Sequence, residues 1–143
     1  MKHGMAQILI VEDDIPLAEQ WIVALEAKAH QVLHCTNARD GLASIGVHWP
    51  DLVVLDFFYK CINGRAEDHS GLTFVQSANQ LAKSLYKPMP KIIAVTASVP
   101  DAQFPIDVME SAQLMTNQKL TIRRQKPFAT EVLLNDVTAA LRA

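Results

Sequence analysis

Short unbroken apolar runs alternate along this chain with stretches in which apolar side chains return every three or four residues. Gln7–Val11 is the first run, and it stops abruptly at Glu12-Asp13-Asp14. Ile15, Ala18, Trp21/Ile22, Leu25 and Ala29 then follow at helical spacing. Asp14 is suited to cap that helix, and Pro16 falls in its first turn, where a missing N–H costs little. Gln31–Cys35 reads as a second strand and Asn37–Val47 as a short helix capped by Asn37, which Trp49-Pro50-Asp51 ends. Leu52–Leu55, closing at Asp56, lacks the polar alternation of a half-exposed strand and suits a parallel strand covered on both faces.

A polar loop is expected over roughly Tyr59–Ser70, with Asn63-Gly64 inside it. From Gly71 the helical period resumes through Phe74/Val75, Ala78, Leu81/Ala82 and Leu85, until Lys87-Pro88-Met89-Pro90 stops it. Lys91–Val95 is a further buried strand that closes at Thr96-Ala97-Ser98. In Val99–Gln118, interrupted by Pro100 and Pro105, Ile106, Met109, Ala112 and Met115 suggest only a modest helix. Leu120–Arg124 reads as a last strand, followed by Lys126-Pro127-Phe128 and a helix with Leu133/Leu134, Val137 and Ala140/Leu141 inward. Five strands alternating with five helices predict a doubly wound α/β domain with a five-stranded parallel sheet and helices on both faces. The expected extent is one domain over residues 1–143, ordered from about residue 6, consistent with 143 residues.

Composition narrows the classes. The chain is 50% hydrophobic, too apolar for disorder, and no apolar run reaches the roughly 20 residues of a membrane span. Met1–Gln7 has no apolar stretch behind its lysine, so no secretory signal is read. Cys35 and Cys61 have no C-x-x-C spacing, and with His34 and His69 they match no zinc pattern, which favours a reduced, cytoplasmic protein. A net charge of −2 argues against direct nucleic-acid binding.

In a doubly wound sheet the ligand crevice lies at the carboxyl ends of the strands. Glu12 and Asp13 follow the first strand, Asp56 the third, Thr96 the fourth and Lys126 the fifth. Three carboxylates facing one ammonium leave surplus negative charge, which a hard divalent cation such as Mg²⁺ would offset. Asp56 is then a nucleophile that needs no base, with Lys126 and Thr96 placed to meet the oxygens of a phosphoryl group.

Ile8–Asp14, Asp51–Asp56, Ile93–Ser98 and Lys126-Pro127-Phe128 together resemble the receiver domain of two-component response regulators over nearly the whole chain. The resemblance implies a flavodoxin-like sheet of order 2-1-3-4-5. It also implies phosphoryl transfer to Asp56 from a histidine kinase or phosphotransfer protein. Glu12, Asp13, Asp56 and the backbone carbonyl of Phe58 would hold Mg²⁺, Thr96 and Lys126 would engage the phosphoryl group, and Lys126–Pro127 would be cis. Phe58 and Ser98 would tune the lifetime of the acyl phosphate. The domain would catalyse only its own phosphorylation and dephosphorylation, with output through a downstream protein partner and homodimerisation left open.

Some positions depart from the family pattern. Arg123 stands where receivers carry an aromatic switch residue, and the segments after Asp56 and between Thr96 and Lys126 are longer than usual. Altered coupling between Thr96 and the fourth-helix–fifth-strand face is therefore expected. The alternatives are a receiver-like interaction module that is not phosphorylated and an aspartate-nucleophile phosphatase. The phosphatase class needs a second Asp where Phe58 stands. The sequence also has no phosphate-binding Gly-rich loop. Arg123 and Arg124 read most simply as solvated edge-strand residues, Trp21 as a core or interface residue, and Phe57-Phe58-Tyr59 as an apolar wall beside the site.

Overall fold

A computed structural model describes residues 5–57, 61–62, 65–66, 70–96 and 122–142, and for Cys61, Ile62, Arg65, Ala66, Ser70, Leu72, Thr96, Ile122, Arg123 and Gln125 the backbone alone. In chain order the elements are β1 (Gln7–Val11), α1 (Ile15–Glu26), β2 (Gln31–Cys35), α2 (Ala38–Val47), β3 (Leu52–Asp56), β4 (Cys61–Ile62), β5 (Arg65–Ala66), α3 (Ser70–Leu85), β6 (Lys91–Thr96), β7 (Ile122–Gln125) and α4 (Thr130–Arg142). The main sheet has five strands in the order β2-β1-β3-β6-β7, all paired in parallel. This is the expected doubly wound order.

Its central strands are apolar without alternation because both faces are covered. Leu9, Val11, Val53, Leu55, Ile92 and Ala94 pack with Ile45, Phe74 and Ala78 of α2 and α3. Ile8, Ile10, Leu52, Val54, Ile93 and Val95 pack with Trp21, Leu25, Leu133 and Val137 of α1 and α4. Residues Leu52–Leu55 are fully buried, each such side chain stabilising the fold by about 1.5–3 kcal/mol. Caps set the helix starts as expected. Asp14 Oδ1 accepts from Leu17 N at 3.1 Å, and Asn37 Oδ1 accepts from Asp40 N at 2.8 Å.

Four expectations are corrected. The span after Asp56 is not loop throughout, because β4 and β5 pair antiparallel, Cys61 with Ala66 and Ile62 with Arg65. The last strand runs past Arg124 to Gln125, and Leu120 and Thr121 lie outside the described residues. Phe57 is not part of a wall beside the site: it is 2% exposed and belongs to the core. Arg124 is not merely solvated, since its Nε and Nη2 donate to the Asp136 carboxylate at 2.6 and 2.9 Å, tying β7 to α4. That pairing pushes the Arg124 pKa further up. The expected helix in Val99–Gln118, together with Ser98, Phe58, Tyr59, the Arg123 side chain and the Thr96 coupling, lies outside the described residues. No helix among the described residues is long and apolar enough to cross a membrane.

Close approach explains Gly71. A Cβ there would lie 2.9 Å from Phe57 Cγ and 3.0 Å from Phe57 Cα, and neither atom is a flexible side-chain end. Gly71→Ala is therefore expected to lower stability by about 1–3 kcal/mol despite alanine's better helix propensity. Urea unfolding monitored by circular dichroism checks this, and a stabilised variant would contradict the packing.

His30, 8% exposed, precedes β2, and burial pushes its pKa below the ordinary 6.5. The unfolded chain thus takes up a proton at higher pH than the folded one. Stability from neutral His30 is complete above about pH 6.5 and declines as pH falls towards the folded value. Melting curves between pH 7.5 and 5, run beside His30→Gln, should show a shallower acid loss in the variant, as expected from linkage of about one proton.

Candidate metal and phosphoryl site

The sheet register brings the candidate residues to one edge. Val11 pairs with Leu55, so Glu12 emerges beside Asp56 at the next step. Asp56 pairs with Val95, and Thr96 pairs with Gln125, so Lys126 leaves β7 next to the end of β6. Carboxylate oxygens of Glu12, Asp13 and Asp56 lie within 4.8 Å of one another. Lys126 Nζ forms an ion pair with Glu12 Oε1 and stands 3.7 Å from Asp56 Oδ2.

The cluster is graded in burial. The Glu12 side chain is fully buried, those of Asp56 and Lys126 are 11% and 18% exposed, and Asp13 is exposed. Glu12 is held at several points. Its N–H donates to Cys35 O at 3.0 Å, its Oε2 accepts from Asp14 N at 3.2 Å, and its carbonyl accepts from His34 Nε2 at 2.8 Å. On the other side, Phe57 N donates to Val95 O at 2.8 Å, which anchors the chain just beyond Asp56. The Lys126–Pro127 bond is cis. Phe128 stacks on buried Trp21, with centroids 5.8 Å apart and planes 15° off parallel, which fixes Trp21 as a core residue.

Four of the five sequence-predicted side chains therefore meet. Thr96 ends β6 at the same edge, with its side chain outside the description, and Phe58 is likewise outside it. His34 and Asp136 escaped the sequence reading as supporting residues. For Asp136 there was a signal: it lies three residues after Leu133 on the inward stripe of α4, where a carboxylate needs a partner. For His34 the signal was weak, because its partner is a backbone carbonyl.

Three carboxylates and one ammonium leave a formal charge of −2 within a few ångströms. Two unit charges 4.8 Å apart repel by about 3.5 kcal/mol at an effective dielectric near 20. The donors are hard oxygens, so the residues present fit a divalent cation such as Mg²⁺ and give no preference to a soft one.

No family model matches the chain. Protein PilH of Pseudomonas aeruginosa is 29% identical to it over 137 residues, which cover 96% of this chain and 98% of PilH. A CheY-like response regulator receiver domain protein from Methanospirillum hungatei superposes with a TM-score of 0.71 at 22% identity, covering 96% of this chain and 94% of its own. This chain has the fold of response-regulator receiver domains. The N-terminal domain of a response regulator/sensory box/GGDEF protein from Carboxydothermus hydrogenoformans is also similar, with a TM-score of 0.70, 21% identity, and coverage of 95% and 94%. In this chain the acidic cluster sits at the carboxyl ends of β1 and β3, where the fold places its ligand crevice.

Removing one exposed ligand charge tests the cluster without disturbing the core. Asp13→Asn is expected to weaken Mg²⁺ binding about tenfold or more, by loss of one carboxylate. Calorimetric titration of the two proteins measures this, and equal affinities would remove Asp13 from the site.

Proposed function

We propose that this receiver domain takes a phosphoryl group from a phosphohistidine onto Asp56 and signals through a protein partner. The observation that carries the proposal is the convergence of Glu12, Asp13 and Asp56 within 4.8 Å, with Lys126 Nζ 3.7 Å from Asp56. Asp56 is part-exposed at a strand end, where a donor can reach it, whereas Glu12 is sealed beneath. That division suits Asp56 to attack and Glu12 to hold charge in place.

In the proposed reaction an Asp56 carboxylate oxygen forms a bond to phosphorus as the phosphorus–nitrogen bond to the donor imidazole breaks. The electron pair of that bond leaves with the ring nitrogen. Lys126 swings from bridging two carboxylates to neutralising the incoming phosphoryl oxygens, and Thr96 at the end of β6 donates to another of them. Glu12, Asp13 and Asp56, with the Phe58 carbonyl that the receiver likeness implies, would hold Mg²⁺, which would supply the remaining positive charge. Hydrolysis of the acyl phosphate returns Asp56 to its starting state, so the domain turns over only its own modification. The donor is a histidine kinase or phosphotransfer protein, and the reading places the chain in the cytoplasm.

Incubation with acetyl phosphate and Mg²⁺ followed by intact-mass measurement tests the reading. The expected product carries one phosphoryl group, and forms neither with Asp56→Asn nor after chelation of the metal. An unmodified wild-type chain under these conditions would favour an interaction module that is not phosphorylated.

A further inference from the structure

The end of the sheet opposite the acidic cluster holds a cavity of about 790 Å³. It lies at the amino ends of the strands, among Ala6 before β1, His30 before β2, Asp51 before β3 and Lys91 opening β6. Its volume falls within the roughly 300–1,000 Å³ of small-molecule sites. Trp49, Met89 and Leu141 give it an apolar lining.

The walls are built rather than collapsed. Pro50, Pro88 and Pro90 line the cavity with restricted backbone. Trp49 Nε1 donates to Pro88 O at 3.1 Å, which joins the approaches to β3 and β6 and fixes the indole. Asp51 Oδ2 accepts from Gln7 N at 2.8 Å, so this carboxylate is spent on bracing β1.

The charge around the cavity is one-sided. Lys28, Lys91 and Arg142 line it, and none of their side chains makes an ion pair with a described residue. Lys87 Nζ adds a further cation 5.4 Å from the Trp49 ring centroid. His30 also lines the cavity, and its buried Nδ1 has no hydrogen-bond partner among the described residues. The rim therefore carries three positive charges against one committed carboxylate, around an apolar interior with a fixed indole.

We propose that this cavity is a binding site for a small organic anion, with an aromatic or aliphatic body and a carboxylate, phosphate or sulfonate head. The body would lie against Trp49, Met89 and Leu141, and the head would meet Lys91, Arg142 and Lys28. The site is separate from the acidic edge of the sheet and does not depend on phosphorylation of Asp56.

The probe for the test is 8-anilinonaphthalene-1-sulfonate, with N-phenyl-1-naphthylamine as its uncharged counterpart. Titration of the full chain by fluorescence should give saturable binding of one sulfonate per chain, with the neutral probe bound about tenfold more weakly. The Trp49 indole N–H resonance should shift on binding while that of buried Trp21 stays in place. Lys91→Gln combined with Arg142→Gln should weaken sulfonate binding about tenfold, Thr138→Trp should block it by filling the cavity, and Asp56→Asn should leave it unchanged. The Trp49 resonance needs no variant, so a variant that fails to fold does not remove the test. Equal binding of the two probes, a stationary Trp49 resonance, or sulfonate binding unaffected by both the charge and the filling variants would overturn the proposal. Tighter displacement of the probe by a glutamate-rich peptide than by small aromatic carboxylates would also overturn it, in favour of a peptide occupant.

Discussion

A carboxylate with no solvent exposure needs a partner of opposite charge, and Glu12 finds one in Lys126. These two residues are more than a hundred positions apart in the chain and adjoin different strands, so their pairing is a statement about the sheet. It requires β1 and β7 to end at one edge with β3 and β6 between them, which is the observed order. Once Lys126 is drawn to buried Glu12, its charge is largely spent there. Asp13 and Asp56 stand nearer the mouth of the crevice, with Asp56 Oδ2 3.7 Å from the same ammonium. The gathering of three carboxylates is thus a consequence of how the core closes around Glu12, rather than of acidic composition.

The elements that were legible in the amino-acid pattern are those whose physics is local. Leu52–Leu55 announces a two-sided buried strand because no polar residue interrupts it, and Asp14 and Asn37 announce helix starts because their side chains cap the next turn. Glu12, Asp13, Asp56 and Lys126 were legible for a different reason. Each follows immediately after an apolar run, and a parallel sheet aligns the ends of such runs. The prediction of a shared site therefore rested on topology, and register supplied the distances.

What the pattern did not show depends on partners remote in sequence or on backbone atoms. The Arg124–Asp136 pair joins an exposed guanidinium to a buried carboxylate; the inward stripe of α4 marks Asp136 as needing a partner, but nothing in its own segment says that the partner is Arg124. The His34 bond to the Glu12 carbonyl involves no side-chain complement that a motif could display. The β4–β5 hairpin is four residues of strand around Asn63-Gly64, too short for any period to register. Grouping Phe57 with its aromatic neighbours stops the strand alternation at Asp56. Continued by one residue, it places Phe57 inward against Gly71.

The two ends of the sheet are electrostatic opposites, and the fold itself arranges this. Parallel strands put every strand's carboxyl end on one side, so residues that follow strands gather there and residues that precede them gather at the other. Glu12, Asp13 and Asp56 follow strands, whereas Lys28, Lys91 and Arg142 cluster where strands begin. The near-zero sum of a −2 chain conceals this separation. A carboxylate beside the basic end, Asp51, is used to brace β1 rather than to balance charge, and a lysine beside the acidic end, Lys126, is used to balance a buried acid. Each end therefore keeps a residue of the opposite sign for structure, and charge of the other sign predominates around it.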